Sequence, residues 1–231
     1  MNEVQKIQER YKRRNDINEE SLYSFLNPEV YFSQQEKERA LIRWIKYSKL
    51  LPISEVKLLE VGCGSGGNLL QFIKIGFSPE NLVGNELLEE RCKHARHYLP
   101  EAVSLILGDA SNLDLKESSF DVVLQSTVFT SILDYEFQQK LAKHMWSLVK
   151  PGGGVLWYDF VYNNPNNSDV RGVSVSNIQK LFPDGKIKTW RLTLAPPISR
   201  RVTKLHPSMY SICNLIPLLR THVLCWIQKT N

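Results

Sequence analysis

Cysteine is scarce in this sequence of 231 residues, with four in all, at positions 63, 92, 213 and 225. No two are spaced C-x-x-C, which excludes zinc and dithiol redox motifs of that type. Thiols scattered in this way suit a reducing compartment. Long apolar runs are missing too: none reaches the roughly 18 residues that a membrane-spanning helix needs. The N-terminus, MNEVQKIQERYKRRND, is charged and lacks the apolar centre of a secretory signal. These absences lead us to expect a cytoplasmic protein. The five histidines show no metal-ligand spacing, and no metal is expected. His206 and His222 are noted only because each falls near a pocket expected from the pattern below. There is no internal repeat and no low-complexity linker. A net charge of +5 leans toward acidic or phosphorylated partners, but a modest positive charge is also ordinary.

What is present is globular: 42% hydrophobic and 23% charged residues, enough for one large domain with additions. Residues 1–52 read as a helical extension or lid. Within it, Ser33 is the expected N-cap of a helix, with Glu36 three positions on. Leu41, Ile42, Trp44 and Ile45 form its buried stripe, and Pro52 marks the exit. From 53 onward short apolar runs alternate with helical patterns. Strands are expected at 57–61, 82–86, 103–107, 120–125 and 154–160, and helices at 66–76, 87–98 and 134–149, with a weaker one after Asp109. That alternation predicts a parallel sheet with crossover helices. Residues 187–194 and 221–229 read as two further strands. Between them lies a Pro-broken insertion, 195–220, either a helix over one sheet face or a substrate cap.

The densest signal is LLEVGCGSGGN at 58–68. It satisfies G-x-G-x-x-G through Gly62, Gly64 and Gly67, and acidic-x-G-x-G-x-G through Glu60, Gly62, Gly64 and Gly66. Both patterns need glycine for a sharp strand-to-helix turn and close ligand approach, and both use the unpaired N–H groups of a helix start. A dinucleotide enzyme sets pyrophosphate there. Glu60 would repel that ligand but would favour an ammonium or a sulfonium. Glu86, ending the next strand, can accept ribose hydroxyls in either case. Asp109 can accept from an adenine amino group with the Ala110 N–H near the ring, although Asp is also a common turn residue. Pro151-Gly152-Gly153-Gly154 reads as a tight turn into the fifth strand.

In that order, LLEVGCGSGGN, VGNE, GDA, FDVVL and LVKPGGGVL resemble the Rossmann-like, class I S-adenosylmethionine-dependent methyltransferases over roughly residues 56–160. The resemblance implies an α/β fold: a seven-stranded, mostly parallel sheet of order 3-2-1-4-5-7-6 with helices on both faces. It implies S-adenosyl-L-methionine as cofactor. By the same analogy Glu60 and Gly62 face its amino-acid end, Glu86 the ribose and Asp109 the adenine, and Cys63, Gly64, Gly66, Asn68, Leu87, Ala110 and Gln125 are further cofactor-binding candidates. Asn85 departs from the apolar residue many relatives carry. RYKRR, LQSTVFTSIL, WYDFVYNNPNNSDVRGVS, LFP and LTLAPPISRR further resemble a bacterial group associated with surface-polysaccharide or glycan synthesis.

The acceptor is read from the loops. No Asp/Asn-Pro-Pro-aromatic motif follows strand four and no cysteine follows a proline, so both DNA-methylating classes lose ground and no nucleic-acid partner is expected. Tyr162, Asn163, Asn164 and Arg171 fall at a strand carboxyl end, where open α/β sheets bind ligands, and can hold sugar hydroxyls or an anion. Asp159 is the candidate base, against an alternative in which it bonds a backbone N–H inside a polar turn. Tyr11 is a rim or lid candidate, as are Arg200 and Arg201. The expected activity is O-methylation of a sugar, glycan precursor or other small polar molecule. A protein, RNA or natural-product acceptor, an NAD(P)-dependent oxidoreductase, and a non-catalytic binding protein stay open as alternatives.

Overall fold

The computed structural model describes residues 2–15, 23–165 and 167–230. Asp16 of the charged N-terminal stretch and Asn166 of the NNPNNSD loop lie outside the described residues. Helices α1 (Glu3–Asn15) and α2 (Pro28–Ser48) precede the sheet. There follow β1 (Leu58–Val61), α3 (Gly67–Ile75), β2 (Leu82–Glu86), α4 (Glu89–Tyr98), β3 (Ser104–Leu107), β4 (Phe120–Ser126), α5 (Tyr135–Leu148), β5 (Val149–Phe160), α6 (Val175–Leu181), β6 (Gly185–Leu194), α7 (Pro196–Leu205), α8 (Met209–Asn214) and β7 (Arg220–Lys229). The sheet order is β3-β2-β1-β4-β5-β7-β6. Strands β1 to β5 are parallel, and β7 runs antiparallel to both β5 and β6. The expected fold class is observed, and its order reverses beside β1, where a crevice opens at the strand carboxyl ends.

The central strands β1, β2, β4 and β5 are largely buried on both faces, as parallel strands between helices must be, while the edge strands β3 and β6 are partly exposed. Alternate residues feed two cores. Leu59, Val61, Val123, Val155 and Trp157 pack with α5, α6 and Ile7 of α1. Leu58, Val122, Leu124, Leu156 and Trp226 pack with α2, α3 and α4, where Trp44 meets Trp226 at 5.5 Å.

Several local expectations are corrected. Helix α2 starts at Pro28, five residues before Ser33. A proline in the first turn loses no hydrogen bond and presets φ, and Ser33 instead donates from its Oγ to the Val30 carbonyl within the helix. The helix after Asp109 is a single 3-10 turn, Ala110–Asn112. Helix α6 escapes sequence reading because seven residues carry too little periodicity; Ser174 caps it through the Asn177 N–H. Pro151–Gly154 is an irregularity within β5 rather than a separate turn: Phe120 pairs with Val149, and the next pair is Val122 with Gly154. Glycine is required there because a Cβ at Gly153 would stand 2.5 Å from the Asp121 carbonyl oxygen.

Candidate active site

The carboxyl ends of β1 to β4 open onto a cleft of about 250 Å³. The glycine turn forms its floor. Gly62 and Gly64 hold φ of +66° and +57°, where L side chains are strained. A Cβ on Gly62 would meet Val128 Cγ2 at 2.6 Å, whereas one on Gly64 would point into open space. Gly62 is therefore fixed by the fold and Gly64 leaves room for a ligand. Gly66 starts α3 outside the cleft lining, and its Cβ would strike Leu99 at 2.7 Å, so it lets α3 pack on the end of α4.

Glu86 binds this turn together. Its Oε2 accepts from the Gly64 N–H at 2.8 Å, and its Oε1 accepts from the Leu87 and Leu88 N–H groups at 2.8 and 2.9 Å. Three of a carboxylate's roughly four acceptor sites are thus taken, which leaves room for about one ribose hydroxyl rather than two. Asn85, the departure from the family pattern, donates to the carbonyls of Ile106 and Gly108 and pins the end of β3. Asp109 lines the cleft with Ala110 and caps its own turn, accepting from the Ser111 N–H and Oγ and from Asn112.

Behind the turn lies a buried polar chain that begins on α2. The Lys37 ammonium donates to Asn68 Oδ1 at 2.8 Å and to Ser126 Oγ at 3.2 Å, and it stands 4.3 Å from the Tyr158 ring centroid. Asn68 Nδ2 donates to Glu60 Oε1 at 2.6 Å, while the buried Glu60 Oε2 has no partner. Burial pushes Glu60 up to about 7, opposed by the Asn68 bond and by Lys37. Burial pulls Lys37 down to about 8, opposed by Glu60. Burial also keeps the Cys63 thiol protonated, well above its ordinary range. Glu60 is fully buried and stands behind the cleft lining rather than in it; its orphaned carboxylate oxygen next to the open glycine turn still suits a cationic group such as the ammonium or sulfonium of S-adenosylmethionine.

Lys37 was missed by sequence reading, yet a signal for it exists. It stands three, four and seven residues before Ala40, Leu41 and Trp44, on the apolar stripe of α2. The helical extension or lid is expected over residues 1–52; of helix α1 within it, Val4, Ile7 and Tyr11 line the cleft. Two buried charges latch the helix: Glu3 pairs with Arg10 and accepts from the Leu133 N–H, and Arg10 donates to the Ser131 carbonyl. Arg91 stacks 4.5 Å over the Tyr11 ring.

The remaining candidates lie elsewhere. Gln125 is fully buried, accepts from the Val128 N–H and is not part of the cleft lining, where Ser126, Thr127 and Val128 stand instead. Asp159 is also outside it. Its Oδ1 accepts from the Thr130 hydroxyl at 2.7 Å and from the Phe160 N–H, and its Oδ2 accepts from the Thr130 N–H. Burial raises Asp159 to about 7. Tyr162 accepts from Arg191, Asn163 accepts from the Gly172 N–H, and the Arg171 N–H bonds the Thr130 carbonyl. Tyr162, Asn163, Asn164 and Arg171 thus share one loop at the end of β5, outside the cleft lining. His222 stacks on Tyr158 at 5.3 Å, and burial lowers it to about 4, so it is a neutral ring. The insertion 195–220 rests on α2 and lines neither this cleft nor the neighbouring groove described below.

Comparison with known proteins agrees with this geometry. Residues 58–153 match the family model described as a methyltransferase domain. A sterol 24-C-methyltransferase of Debaryomyces hansenii is 32% identical over 113 residues, covering 46% of this chain and 28% of the relative. The thiol S-methyltransferase TMT1B of Rattus norvegicus is 29% identical over 144 residues, 61% of this chain and 57% of the relative. The chain thus spans well under two thirds of these curated relatives. Among solved structures, a SAM-dependent methyltransferase of Thermotoga maritima superposes with a TM-score of 0.60 at 20% identity, covering 93% of this chain and 96% of that one. Residues 58–153 therefore match a methyltransferase domain, and the fold around them is the one seen in solved SAM-dependent methyltransferases.

Proposed function

We propose that the chain built around this domain is an active methyltransferase, and that its acceptor is a hydroxyl of a small polar molecule, a sugar or glycan precursor in the leading case. The observation that carries the first half is Glu60: a buried carboxylate with one oxygen unpartnered, beside a glycine turn with open space over it. A diphosphate would be repelled there. The oxidoreductase alternative also meets a different sheet, because the dinucleotide order 3-2-1-4-5-6 lacks the antiparallel β7 inserted here.

When bound, S-adenosylmethionine supplies a methyl group on a positively charged sulfur. The chain then has to orient the acceptor and exclude water. Glu60, Glu86 and the N–H groups of the glycine turn would hold the cofactor, with Asp109 and Ala110 at the adenine end. Lys37 holds Asn68 and Ser126 in place and partly offsets the burial that keeps Glu60 from ionising. Helix α1 closes the cleft from above. We assign Asp159 to holding the Thr127–Ser131 turn that walls the site, since both its oxygens are engaged there.

A second reading of the acceptor has its own support. A groove of about 650 Å³ between α2 and α3 shares Cys63 and Asn68 with the cleft and carries Phe25, Tyr31 and Leu70 on its walls beside the polar Gln34, Gln35, Glu38, Gln71 and Lys74. That lining suits an acceptor with a hydrocarbon part, in keeping with relatives named for sterols and thiols. Calorimetry with S-adenosylhomocysteine and with NAD tests the cofactor: the first should bind and the second should not. Labelled methyl transfer to a panel of sugars, thiols and apolar alcohols then separates the acceptors; transfer to sugars alone supports the leading reading.

A further inference from the structure

Charge is unevenly spread along the chain. From Gly185 to the C-terminus there is no Asp or Glu but eight Lys or Arg, so residues 1–184 carry a net charge of −3 and the last 47 residues +8. Part of this has an ordinary account. Strand β6 is a sheet edge, and exposed lysines such as Lys186 and Lys188 discourage edge-to-edge pairing. That account does not extend to the insertion between β6 and β7.

The insertion is amphipathic in the wrong sense for a structural element. Its polar and aromatic side faces inward. Tyr210 is buried, stacks on Phe32 of α2 at 5.5 Å and donates its hydroxyl to Glu36, while Thr203 donates to Glu29. Five of its aliphatic side chains face outward: Leu205 is 82% exposed, Leu218 83% and Leu215 76%, with Ile212 and Ile216 at least half exposed, while Ile198, Val202 and Leu219 are half-buried. Arg201 and Lys204 are exposed just before them on α7. An element selected only to cover α2 would bury its leucines.

We propose that the insertion 195–220 is a docking element for the surface of an anionic lipid bilayer. The insertion itself carries basic residues and no acidic ones, and Glu29 and Glu36 of α2 meet only its inward side, so its exposed aliphatic side chains beside Arg201 and Lys204 meet both requirements of interfacial binding, acyl-boundary burial and attraction to anionic headgroups. No described helix is long and apolar enough to cross a membrane, so the contact lies in the interface plane. Single-stranded nucleic acid fits less well, since it stacks on exposed aromatic rings, and the insertion's one aromatic residue, Tyr210, is buried. A second copy of the same face fits less well, because an isologous contact sets one basic patch against its duplicate. The inference does not rest on methyl transfer and is read without turnover.

The test uses the full chain and co-sedimentation with phosphatidylcholine vesicles, with and without phosphatidylglycerol. Retention is expected only with the anionic lipid and should fall as salt is raised. Leu215→Ser with Leu218→Ser, and separately Arg201→Glu with Lys204→Glu, should each weaken retention by about tenfold or more. Thermal unfolding should stay unchanged, because all four side chains are exposed. Equal retention by both vesicle types, no retention by either, or variants that bind like the parent would overturn the proposal. So would tighter binding to single-stranded RNA than to anionic vesicles, or a dimer that the leucine substitutions dissolve.

Discussion

The carboxyl edge of the sheet is built in two different ways. Beside β1 to β3 the ligand surface is mostly backbone: glycines at positive φ, N–H groups gathered onto Glu86, and turns capped by Asp109 and Asn85. Beside β5 to β7 it is side chain on side chain, with Asp159 clamping Thr130, Tyr162 against Arg191 and Tyr158 against His222. The first kind of surface needs specific residues at fixed spacing and changes little with context. The second takes its meaning from which loops are neighbours. Asp159 shows the difference: it stands at a strand end but outside the cleft lining, and its carboxylate accepts from Thr130 and from the Phe160 N–H.

The largest expected effect breaks the backbone-built half. Gly62→Ala adds a Cβ 2.6 Å from Val128 Cγ2 at a left-handed φ. Strain and overpacking together, about 2–4 kcal/mol, should cut S-adenosylhomocysteine affinity about a hundredfold by calorimetry, and Val128→Ala in the same chain should restore part of it. Normal binding by Gly62→Ala would mean that the turn is not fixed by its neighbours.

Glu86→Gln comes next. The new amide N–H₂ faces at least one of three N–H donors that now point at the carboxylate. A loss of about 2 kcal/mol, near thirtyfold in affinity, is expected.

A pH series sharpens the role of Glu60, whose ordinary value is raised to about 7. Below that pH it is largely neutral and above it ionised, so affinity for the cationic cofactor should climb about tenfold between pH 6 and 8. In Glu60→Gln the climb should vanish. Stability runs the other way: a raised carboxyl adds stability at pH below its unfolded value, and that contribution is lost as pH rises through about 7.

The smallest effect on binding is expected in the other half. Asp159→Asn should lower unfolding stability by about 1–3 kcal/mol through the loss of a buried charged acceptor, with cofactor affinity unchanged. A fall in turnover without loss of stability would instead return Asp159 to the role of a base.

Much of the fold and of the cofactor side was legible because the signals are local. All seven strands stand within a few residues of their expected places, as buried apolar runs between turn-formers allow. Gly62, Cys63, Gly64, Asn68, Glu86, Leu87, Asp109 and Ala110 line one cleft, and Glu60 lies buried behind it. Gln125 was displaced by one register step, its side chain pointing into the sheet while Ser126 next to it faces the cleft. Lys37 is separated from Glu60 by more than twenty residues of chain and comes to it only because α2 crosses the sheet; its charge on an apolar stripe was the one hint.

The sequence by itself determined the strand and helix order, the glycine turn and the acidic residues that close β1 and β2, because these depend on periodicity, on φ and on residues within one turn of each other. Tertiary structure alone decided which groups meet: that Lys37 reaches the Glu60 network, that α1 lines the cleft, that Asp159 accepts from Thr130, and that the insertion turns Leu205, Leu215 and Leu218 outward. The physical reason is that burial and partnership are properties of surfaces brought together by folding, and a side chain's charge state and chemistry follow from them.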